Sequence, residues 1–382
     1  MYRVLVIGPR RALIEVLRNR DIPFAVWREE ATFPVEDAQQ MVTAPLWNTT
    51  SKLRKFVSES FGAAKYTHVI AGTEAAVYPA AVARRALEAR LSLVTTALRC
   101  QDKLAMKEYL SDLGIPMTDF VAESAVRSPA EAFARLGSPI VRKHRKSSGG
   151  RGLELIGREQ DLVLRQDGRN ILERHVSSPE ASIESFVNDS RIRFTNTTRY
   201  LEKGHVNFVP SGFDDALLES LDVLNRRVIE ALKINWGITH LEVYLADDGL
   251  LFGEIALRPP GGYIMSAMRY AYGFDPWAAW VAMELGEDFD FPDRVSAYSC
   301  VDIFHPGAGL VVAIHGDGMV RQHPATREFR LKIKPGDTIK ARQGAGQDIG
   351  HLIHTSDSFA TRLELHGHFR RHLVIDLHRQ AG

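Results

Sequence analysis

The sequence lacks several features that would assign it to a specialised class of protein. It has two cysteines, Cys100 and Cys300, which are too few for a disulfide framework or a cysteine-based structural zinc site. No run approaches the roughly 18 consecutive apolar residues of a membrane span. The first residues also lack the basic-then-apolar order of a signal peptide. These absences favour a cytoplasmic protein with no membrane partner.

A surplus of charge of one sign is missing as well. Lysine and arginine total 48 and the acidic residues total 47, which gives a net charge of +1. Nucleic-acid-binding proteins normally have more basic than acidic residues, so we expect no nucleic-acid partner. The 382 residues allow two or three domains, and the 45% apolar fraction is ordinary for a globular protein.

Residues 1–95 are predicted to form an N-terminal α/β, Rossmann-like domain. Short apolar runs at 4–7, 24–27 and 68–71 alternate with helix-like segments, which is typical of βαβ units. The first turn contains Gly8 but no G-x-G-x-x-G pattern. A dinucleotide-binding fingerprint is therefore not supported.

The remainder divides into two predicted parts, so that the chain as a whole is of the α+β class. Residues 96–294 begin with a helix after Asp102, a good N-cap, and continue with a strand-rich lobe at about 115–175. A helix at about 214–232 and a hairpin at 238–258 follow. From residue 295 to 382, short strands with glycine turns predict a β-rich C-terminal lobe.

The hairpin at 238–258 brings two carboxylates together. With a three-residue loop at 247–249, Glu242 lies opposite Glu254, and Arg258 shares their face of the sheet. Like charges opposite each other are unfavourable, so the pair needs a cation such as Mg²⁺, a shared proton or open water. The alternatives are an exposed charged face, or a two-residue loop that would separate the two glutamates.

A second candidate site is a glycine-rich loop at 144–152 (HRKSSGGRG) between two predicted strands. Small residues let main-chain N–H groups approach phosphate oxygens; the four at the centre of the loop are Ser147, Ser148, Gly149 and Gly150. Lys143 precedes the loop. Lys103 follows a helix N-cap, where a cation opposes the helix dipole unless an anion lies between them. Phosphate binding is the functional interpretation, and a solvated hairpin tip is the alternative.

Two further segments carry weaker signals. Residues 172–180 (LERHVSSPE) are typical of a strand end followed by a short connection. Five histidines near the end suggest a metal, but no cysteine lies among them and no H-E-x-x-H motif is present. We therefore predict surface histidines, with His366 and His368 on one face of a strand; the five are His351, His354, His366, His368 and His372.

Taken in order, these segments resemble the ATP-grasp superfamily. The resemblance covers most of the chain and lies in four motifs, DKLAMKEYLSDLGIP, SPIVRKHRKSSGGRG, ILERHVSSPEAS and GITHLEVYLADDGLLFGEIALRPPGG. Each motif is weak alone, but four in the right order and spacing are specific. The resemblance implies an ATP-grasp fold that follows the N-terminal domain and is completed by the C-terminal β-rich lobe, with ATP and Mg²⁺ or Mn²⁺ as cofactors.

The resemblance also implies which residues bind the nucleotide. Lys103 and Lys143 would contact the phosphates or the adenine side, and residues 147–150 would close over the phosphates. An adenine-binding hinge, acting largely through main-chain groups, would contain Glu173, Arg174 and Val176. Glu180 would hold the ribose hydroxyls.

For the chemical step, the resemblance implies that Glu242 and Glu254 hold the metal and that Arg258, with Lys143, serves catalysis. The family usually has asparagine as a further metal ligand where this chain has Ala256. One ion site is then weakened, water or substrate replaces the asparagine, or His240 helps from the opposite strand. Because the two carboxylates and Arg258 are present, the enzyme is not expected to be inactive.

The implied reaction is an ATP-dependent ligation. Transfer of the γ-phosphoryl group turns a carboxylate into an acyl phosphate, and an amine then attacks it to form an amide, with ADP and phosphate released. The C-terminal segment resembles that of amino-acid ligases, which favours an amino acid as one substrate. The family resemblance also implies a homodimer as the assembly. The candidate substrate-binding residues are Arg258, Gly261, Gly262, His240 and Glu74. The alternatives are a biotin-carboxylase-like or kinase-like enzyme with the same fold, or a nucleotide-binding regulator that does not catalyse a reaction.

Overall fold

The computed structural model describes residues 2–46, 49–90, 92–342, 344 and 346–379. Within these residues the strands form four sheets, and helices are distributed among them. The predicted α+β class is confirmed. No described helix combines the length and the apolar character needed to cross a membrane.

The first sheet is parallel and has the predicted βαβ order. Its strands are β1 (Val4–Ile7), β2 (Phe24–Arg28), β3 (Met41–Thr43) and β4 (His68–Ala71), in the spatial order β3-β2-β1-β4. The helices of this region are α1 (Arg11–Asn19), α2 (Thr50–Phe61), α3 (Val77–Ala86) and α4 (Val94–Arg99). Strand β1 is buried along its whole length, because α1 covers one face and α2 and α3 cover the other. Burial on both faces explains its uninterrupted apolar run.

The second sheet is small, antiparallel and carries the glycine-rich loop. Its strands are β5 (Phe120–Ala122), β6 (Ile140–His144), β7 (Glu154–Ile156) and β8 (Asn170–Arg174), in the order β5-β8-β6-β7. Two helices belong to this region, α5 (Lys103–Asp112) and α6 (Pro129–Leu136). Helix α5 begins as predicted after Asp102, whose carboxylate accepts hydrogen bonds from the N–H groups of Leu104 and Ala105.

The third sheet has eight antiparallel strands and is the centre of the molecule. Its strands are β9 (Glu180–Asn188), β10 (Arg191–Glu202), β11 (Val206–Val209), β12 (Gly237–Ala246), β13 (Gly249–Ala256), β14 (Tyr298–Phe304), β16 (Thr326–Leu331) and β18 (Gly350–Ser356). They follow the order β13-β12-β9-β10-β11-β14-β18-β16. The helices packed on it include α7 (Asp215–Ala231), α8 (Ile264–Tyr272) and α9 (Pro276–Leu285). The sheet thus contains strands from both of the parts predicted to meet at residue 295.

The C-terminal region completes that sheet and adds a small fourth one. The remaining strands are β15 (Gly309–His315), β17 (Thr338–Ile339) and β19 (Val374–His378), in the order β17-β15-β19. The remaining helices are α10 (Asp317–Gln322) and α11 (Phe359–His372). The region is therefore rich in short strands, as expected, but it also contains a helix of 14 residues.

The prediction for the histidines near the C-terminus is wrong in two respects. His366 and His368 lie on helix α11 and not on a strand. His351, His354 and His366 are buried, with 6%, 0% and 7% of their surfaces exposed. Only His372 among the five is fully on the surface. The helix was not recognised because α11 has charged residues around most of its circumference. It therefore lacks the apolar stripe by which a helix is identified from sequence.

Packing divides one face of the large sheet into an apolar half and a polar half. At the apolar end, Phe186 and Ile238 pack against α8 and α9, and α9 also contacts β4 of the N-terminal sheet. Further along the same strands and on the same face lie Glu184, His240 and Glu242. The opposite face is apolar and packs against α7. The polar half, beside the small sheet, is where the candidate site lies.

Candidate active site

The two carboxylates predicted to meet on the hairpin lie directly opposite each other. Glu242 on β12 pairs with Glu254 on β13, and their side chains are 26% and 27% exposed. The turn, however, contains only Asp247 and Asp248, so the predicted three-residue loop is wrong. A β-bulge at Gly253 adds one unpaired residue to β13. The pairing therefore shifts by one residue, and Glu242 and Glu254 still lie opposite each other. A Cβ at this bulge would lie 2.9 Å from the main-chain oxygen of Glu242, which explains the glycine.

Lys103 links the hairpin to the glycine-rich loop. Its ammonium lies 3.2 Å from Oε2 of Glu254 and donates to the main-chain oxygen of Ser147 at 2.7 Å. An ammonium has three donors, so one N–H is left for a further acceptor. The side chain is buried beside these partners. Its position at the start of α5 therefore places a cation, the glycine-rich loop and a carboxylate together.

The glycine-rich loop is held at its base and open at its tip. Arg145 forms a two-pronged ion pair with Asp102, with N–O distances of 2.9 and 2.8 Å. At the tip, Gly149 and Gly150 have φ values of +65° and +71°, which favour glycine. The hydroxyl of Ser148 accepts a hydrogen bond from Arg151. The tip residues are exposed or half-buried, and the main-chain oxygen of Ser147 accepts the hydrogen bond from Lys103.

Lys143 and Glu173 are brought together with a residue that the sequence did not suggest, Lys107. Glu173 is buried, and its Oε2 lies 2.9 Å from Nζ of Lys143 and 3.4 Å from Nζ of Lys107. Burial alone would raise the pKa of Glu173, but the two ammonium groups outweigh it and lower the pKa to about 2. The side chain of Glu173 is therefore an anion between two lysines. Lys107 lies one helical turn after Lys103, a spacing that could have revealed it.

The remaining hinge and ribose candidates lie at the junction of the small and large sheets. Arg174 ends β8, is more than half exposed and pairs with Asp119. Val176 lies in the connection to β9, whose first residue is Glu180. The carboxylate of Glu180 pairs with Lys203, a partner for which the sequence gave no local signal. Burial raises the pKa of Glu180, although the Lys203 ammonium opposes this shift.

His240 connects Glu242 to a second buried carboxylate, Glu184. Its Nδ1 lies 2.9 Å from Oε1 of Glu184 and its Nε2 lies 3.4 Å from Oε1 of Glu242. Burial alone would lower the pKa of His240, but hydrogen bonds to the two carboxylates raise it to about 9. Both ring nitrogens are thus directed at carboxylates. His240 also pairs with Ala256 across the hairpin, as predicted.

Glu184 is the centre of a polar network that sequence reasoning missed. Besides His240, it accepts hydrogen bonds from the side chains of Ser182, Asn196 and Thr198. A signal was present in the sequence, because polar residues alternate along β9 at 180, 182 and 184. This alternation places them on the face that carries Glu242.

At the other end of the site, Arg258 joins the hairpin to the N-terminal region. Its Nε donates to Oε2 of Glu74 at 2.8 Å, and its Nη1 donates to the main-chain oxygen of Pro259. Glu74 lies in a short 3₁₀ helix after β4. The pKa of Glu74 is raised by burial, and the nearby Arg258 guanidinium opposes this shift only in part. The guanidinium is therefore buried and positioned before any ligand binds.

Gly261 and Gly262 follow Arg258 in a turn that leads into α8. Gly262 has a φ of +61° and its main-chain oxygen accepts a hydrogen bond from the side chain of Asn207 at 2.9 Å. A Cβ there would lie 2.7 Å from the same Asn207 amide. Gly261 is exposed, and a Cβ on it would meet open space. Close packing therefore explains Gly262 but not Gly261.

Comparison with known proteins agrees with this arrangement. Residues 108–268 match the model of the ATP-grasp domain, and residues 303–377 match that of the L-amino acid ligase C-terminal domain 2. The L-arginine-specific L-amino acid ligase of Bacillus subtilis is 27% identical over 78% of each chain. The two family models thus cover most of the candidate site and the region after it, but not Glu74, Lys103 or Lys107.

Solved structures share the fold along nearly the whole chain. The L-amino acid ligase of Bacillus licheniformis has a TM-score of 0.80 at 16% identity and covers 99% of both chains. The N5-carboxyaminoimidazole ribonucleotide synthetase of Thermotoga maritima has a TM-score of 0.73 at 17% identity, covering 99% of this chain and all of that one. The chain therefore contains an ATP-grasp domain at residues 108–268, in a fold that it shares with these ligase and synthetase structures.

Proposed function

We propose that this enzyme activates a carboxylate with ATP and joins it to an amine, with an amino acid as one substrate. The observation that carries the proposal is the Glu242–Glu254 pair, with Lys103 on one side and the Arg258–Glu74 pair nearby. The L-amino acid ligase domain at residues 303–377 and the arginine-specific relative support the amino acid. The predicted domain limits, 1–95, 96–294 and 295–382, a cytoplasmic location and a homodimer stay predictions.

The donor atoms of the hairpin fit a hard divalent cation. Glu242 and Glu254 offer carboxylate oxygens from opposite strands, and both are partly open to a ligand. These two residues would hold Mg²⁺ or Mn²⁺, which would supply positive charge to offset the negative charge of the phosphates. His240 already uses both ring nitrogens on Glu184 and Glu242, which favours a role in orienting Glu242 over direct metal binding. Water or substrate would then take the position that Ala256 leaves without a ligand.

ATP would lie between the small and the large sheet. Lys103 and Lys143 would offset phosphate charge, and main-chain N–H groups of residues 147–150 would close over the phosphates. Glu173, with Lys107, would fix the position of Lys143. Arg174 and Val176 would offer main-chain groups to the adenine, and Glu180 would accept hydrogen bonds from the ribose.

In the chemical step, these residues mainly position groups and stabilise charge. Arg258 would donate hydrogen bonds to the phosphoryl group as it moves from ATP to the substrate carboxylate. Closure of the loop would keep water from the acyl phosphate until the amine attacks its carbonyl carbon and phosphate leaves. An amino acid substrate has an ammonium and a carboxylate. Glu74 would attract the first, and the main-chain N–H groups of Gly261 and Gly262 would receive the second.

The experiment is a measurement of phosphate release from Mg·ATP with single and paired amino acids and small carboxylic acids, followed by product mass. We expect release that depends on a particular pair, with a product whose mass is the sum of the pair minus water. Glu254→Gln serves as the inactive control. Phosphate transfer to one stable product would identify a kinase, whereas ATP binding without turnover on any pair would identify a regulator. Either result would contradict the proposal.

A further inference from the structure

A second group of metal-ligating side chains lies in the C-terminal region, away from the ATP-binding residues in the fold. Cys300 and Asp302 are two residues apart on β14 and share one face. His354 on β18 lies directly opposite Cys300, and His366 reaches the group from α11. Their exposed fractions are 0%, 4%, 0% and 7%, so the whole group is inside the protein.

The distances in this group are close to those of a tetrahedral site. Oδ2 of Asp302 lies 3.6 Å from Sγ of Cys300 and 3.7 Å from Nε2 of His354. Sγ of Cys300 lies 3.9 Å from Nδ1 of His366, and the four ligand atoms all lie within 4.8 Å of one another. Zinc bonds of about 2.0–2.3 Å place tetrahedral ligand atoms about 3.3–3.8 Å apart. The other carboxylate oxygen, Oδ1 of Asp302, lies 2.8 Å from Nδ1 of His366, and this contact would open by about half an ångström where Oδ1 is the ligand atom.

Without a metal the group leaves polar atoms unsatisfied. Both ring nitrogens of His354 are buried and have no hydrogen-bond partner. A neutral imidazole always has one N–H and one lone pair, so this burial is costly. A metal bound at Nε2 would satisfy the lone pair. The ring is aimed into the group and packs against Phe369 on its other side.

Charge also favours a divalent cation here. A thiolate at Cys300 and a carboxylate at Asp302 carry two negative charges, which a divalent ion would cancel. The one cation packed beside the group among the described residues is Arg362, and its guanidinium donates to the main-chain oxygens of Pro210, Ser211 and Ser299. These bonds use Nη1 and Nη2 of the arginine and none of them involves the Asp302 carboxylate, while its buried Nε has no hydrogen-bond partner.

We propose that Cys300, Asp302, His354 and His366 bind one structural Zn²⁺. A thiolate and two imidazoles favour zinc over magnesium or calcium, and a single carboxylate completes four ligands. All four positions are filled by protein and buried, which leaves none for water or substrate. The ion would tie β14 and β18 to helix α11 and so hold the helix on the large sheet.

The first test is the metal content of the purified full-length chain, prepared without a metal-binding tag. We expect about one zinc per chain after dialysis against a weak chelator, and loss of that zinc in Cys300→Ser and His366→Gln. Cys100→Ser and His372→Gln are matched controls, because Cys100 is buried elsewhere and His372 is exposed on the same helix. Glu254→Gln should keep its zinc, since it belongs to the proposed magnesium site.

Cobalt substitution tests the geometry without any variant. In the wild-type chain, Co²⁺ should give the visible bands of a tetrahedral ion and a thiolate-to-cobalt charge-transfer band in the near ultraviolet. A wild-type chain that takes up neither zinc nor cobalt to one equivalent would overturn the proposal and leave a metal-free Asp302–His366 pair. Full zinc retention in Cys300→Ser, or a cobalt spectrum without the thiolate band, would overturn it equally. None of these readouts depends on the ligase activity.

Discussion

Glu242 lies directly opposite Glu254, although the two-residue turn that joins their strands would by itself place Glu242 opposite Gly253. The bulge at Gly253 takes up the extra residue and moves Glu254 into place. Two like charges in this arrangement repel each other. They are held by Lys103 on one side and His240 on the other, and a bound divalent ion would complete their neutralisation.

The first prediction concerns the charge of this pair. Glu254→Gln keeps the size of the side chain but removes one of the two proposed metal-binding carboxylates. We expect phosphate release to fall by about a hundredfold or more, because the phosphate charge is no longer offset in the same place. The melting temperature should change little. Asp248→Asn, at the turn of the same hairpin, is the control and should retain its turnover. Near-normal turnover in Glu254→Gln would contradict the assignment of Glu254 as a metal ligand.

The second prediction concerns the bulge. In Gly253→Ala the new Cβ would lie 2.9 Å from the main-chain oxygen of Glu242, so the strands must shift. We expect a loss of stability of about 1–3 kcal/mol and a fall in turnover larger than that loss explains. Gly157→Ala is the matched control, since a Cβ there meets open space. Unchanged turnover in Gly253→Ala would show that the glutamates do not need this register.

The hairpin also shows which features of the site could be predicted from the sequence. The pairing of Glu242 with Glu254 was predicted correctly but from a wrong turn, because a three-residue loop and a two-residue loop with a bulge give the same register at the glutamates. Alternation along the strands likewise identified β9 and β10, and the N-cap at Asp102 identified the start of α5. These are local signals, which one segment carries alone.

Contacts between distant segments were harder to predict. Glu184 joins His240 from a neighbouring strand, and Lys203 reaches Glu180 at the open end of the β9–β10 hairpin, 23 residues away in sequence. The buried group at Cys300 was missed because its cysteine lies 54 residues before His354, and sheet pairing alone brings them together. Partners of this kind depend on the tertiary fold, and no single segment encodes them.

The third prediction concerns Arg258. Its guanidinium is held by Glu74 and would meet the phosphoryl group during transfer. We expect Arg258→Ala to lower turnover by about a thousandfold, while the dissociation constant for ATP changes far less. Single-turnover assays with separate ATP-binding measurements distinguish these effects. A variant that loses ATP affinity but keeps its single-turnover rate at saturating ATP would contradict the assigned role.

The fourth prediction concerns the buried anion between Lys107 and Lys143. The pKa of Glu173 is about 2 in the folded protein, below its ordinary value of about 4.5. Above pH 4.5 the unfolded chain is ionised as well, so the stabilisation is fully present; it is lost as the pH falls from about 4.5 towards 2. The expected contribution is about 3 kcal/mol. Four other ionisable groups interact with these lysines in the same site: Tyr244, Glu254, Glu180 and Glu242.

Glu173→Gln tests this contribution by urea unfolding between pH 7 and pH 2.5. The variant leaves two ammonium groups beside each other without their shared carboxylate, and we expect it to lose about 3–5 kcal/mol at neutral pH. Its stability should then fall less steeply with acid than that of the wild type, because the titrating group is gone. Glu159→Gln, an exposed position in the same lobe, should follow the wild-type curve. Equal stability of Glu173→Gln and the wild type at pH 7, with equal acid slopes, would mean that the carboxylate contributes nothing as an anion.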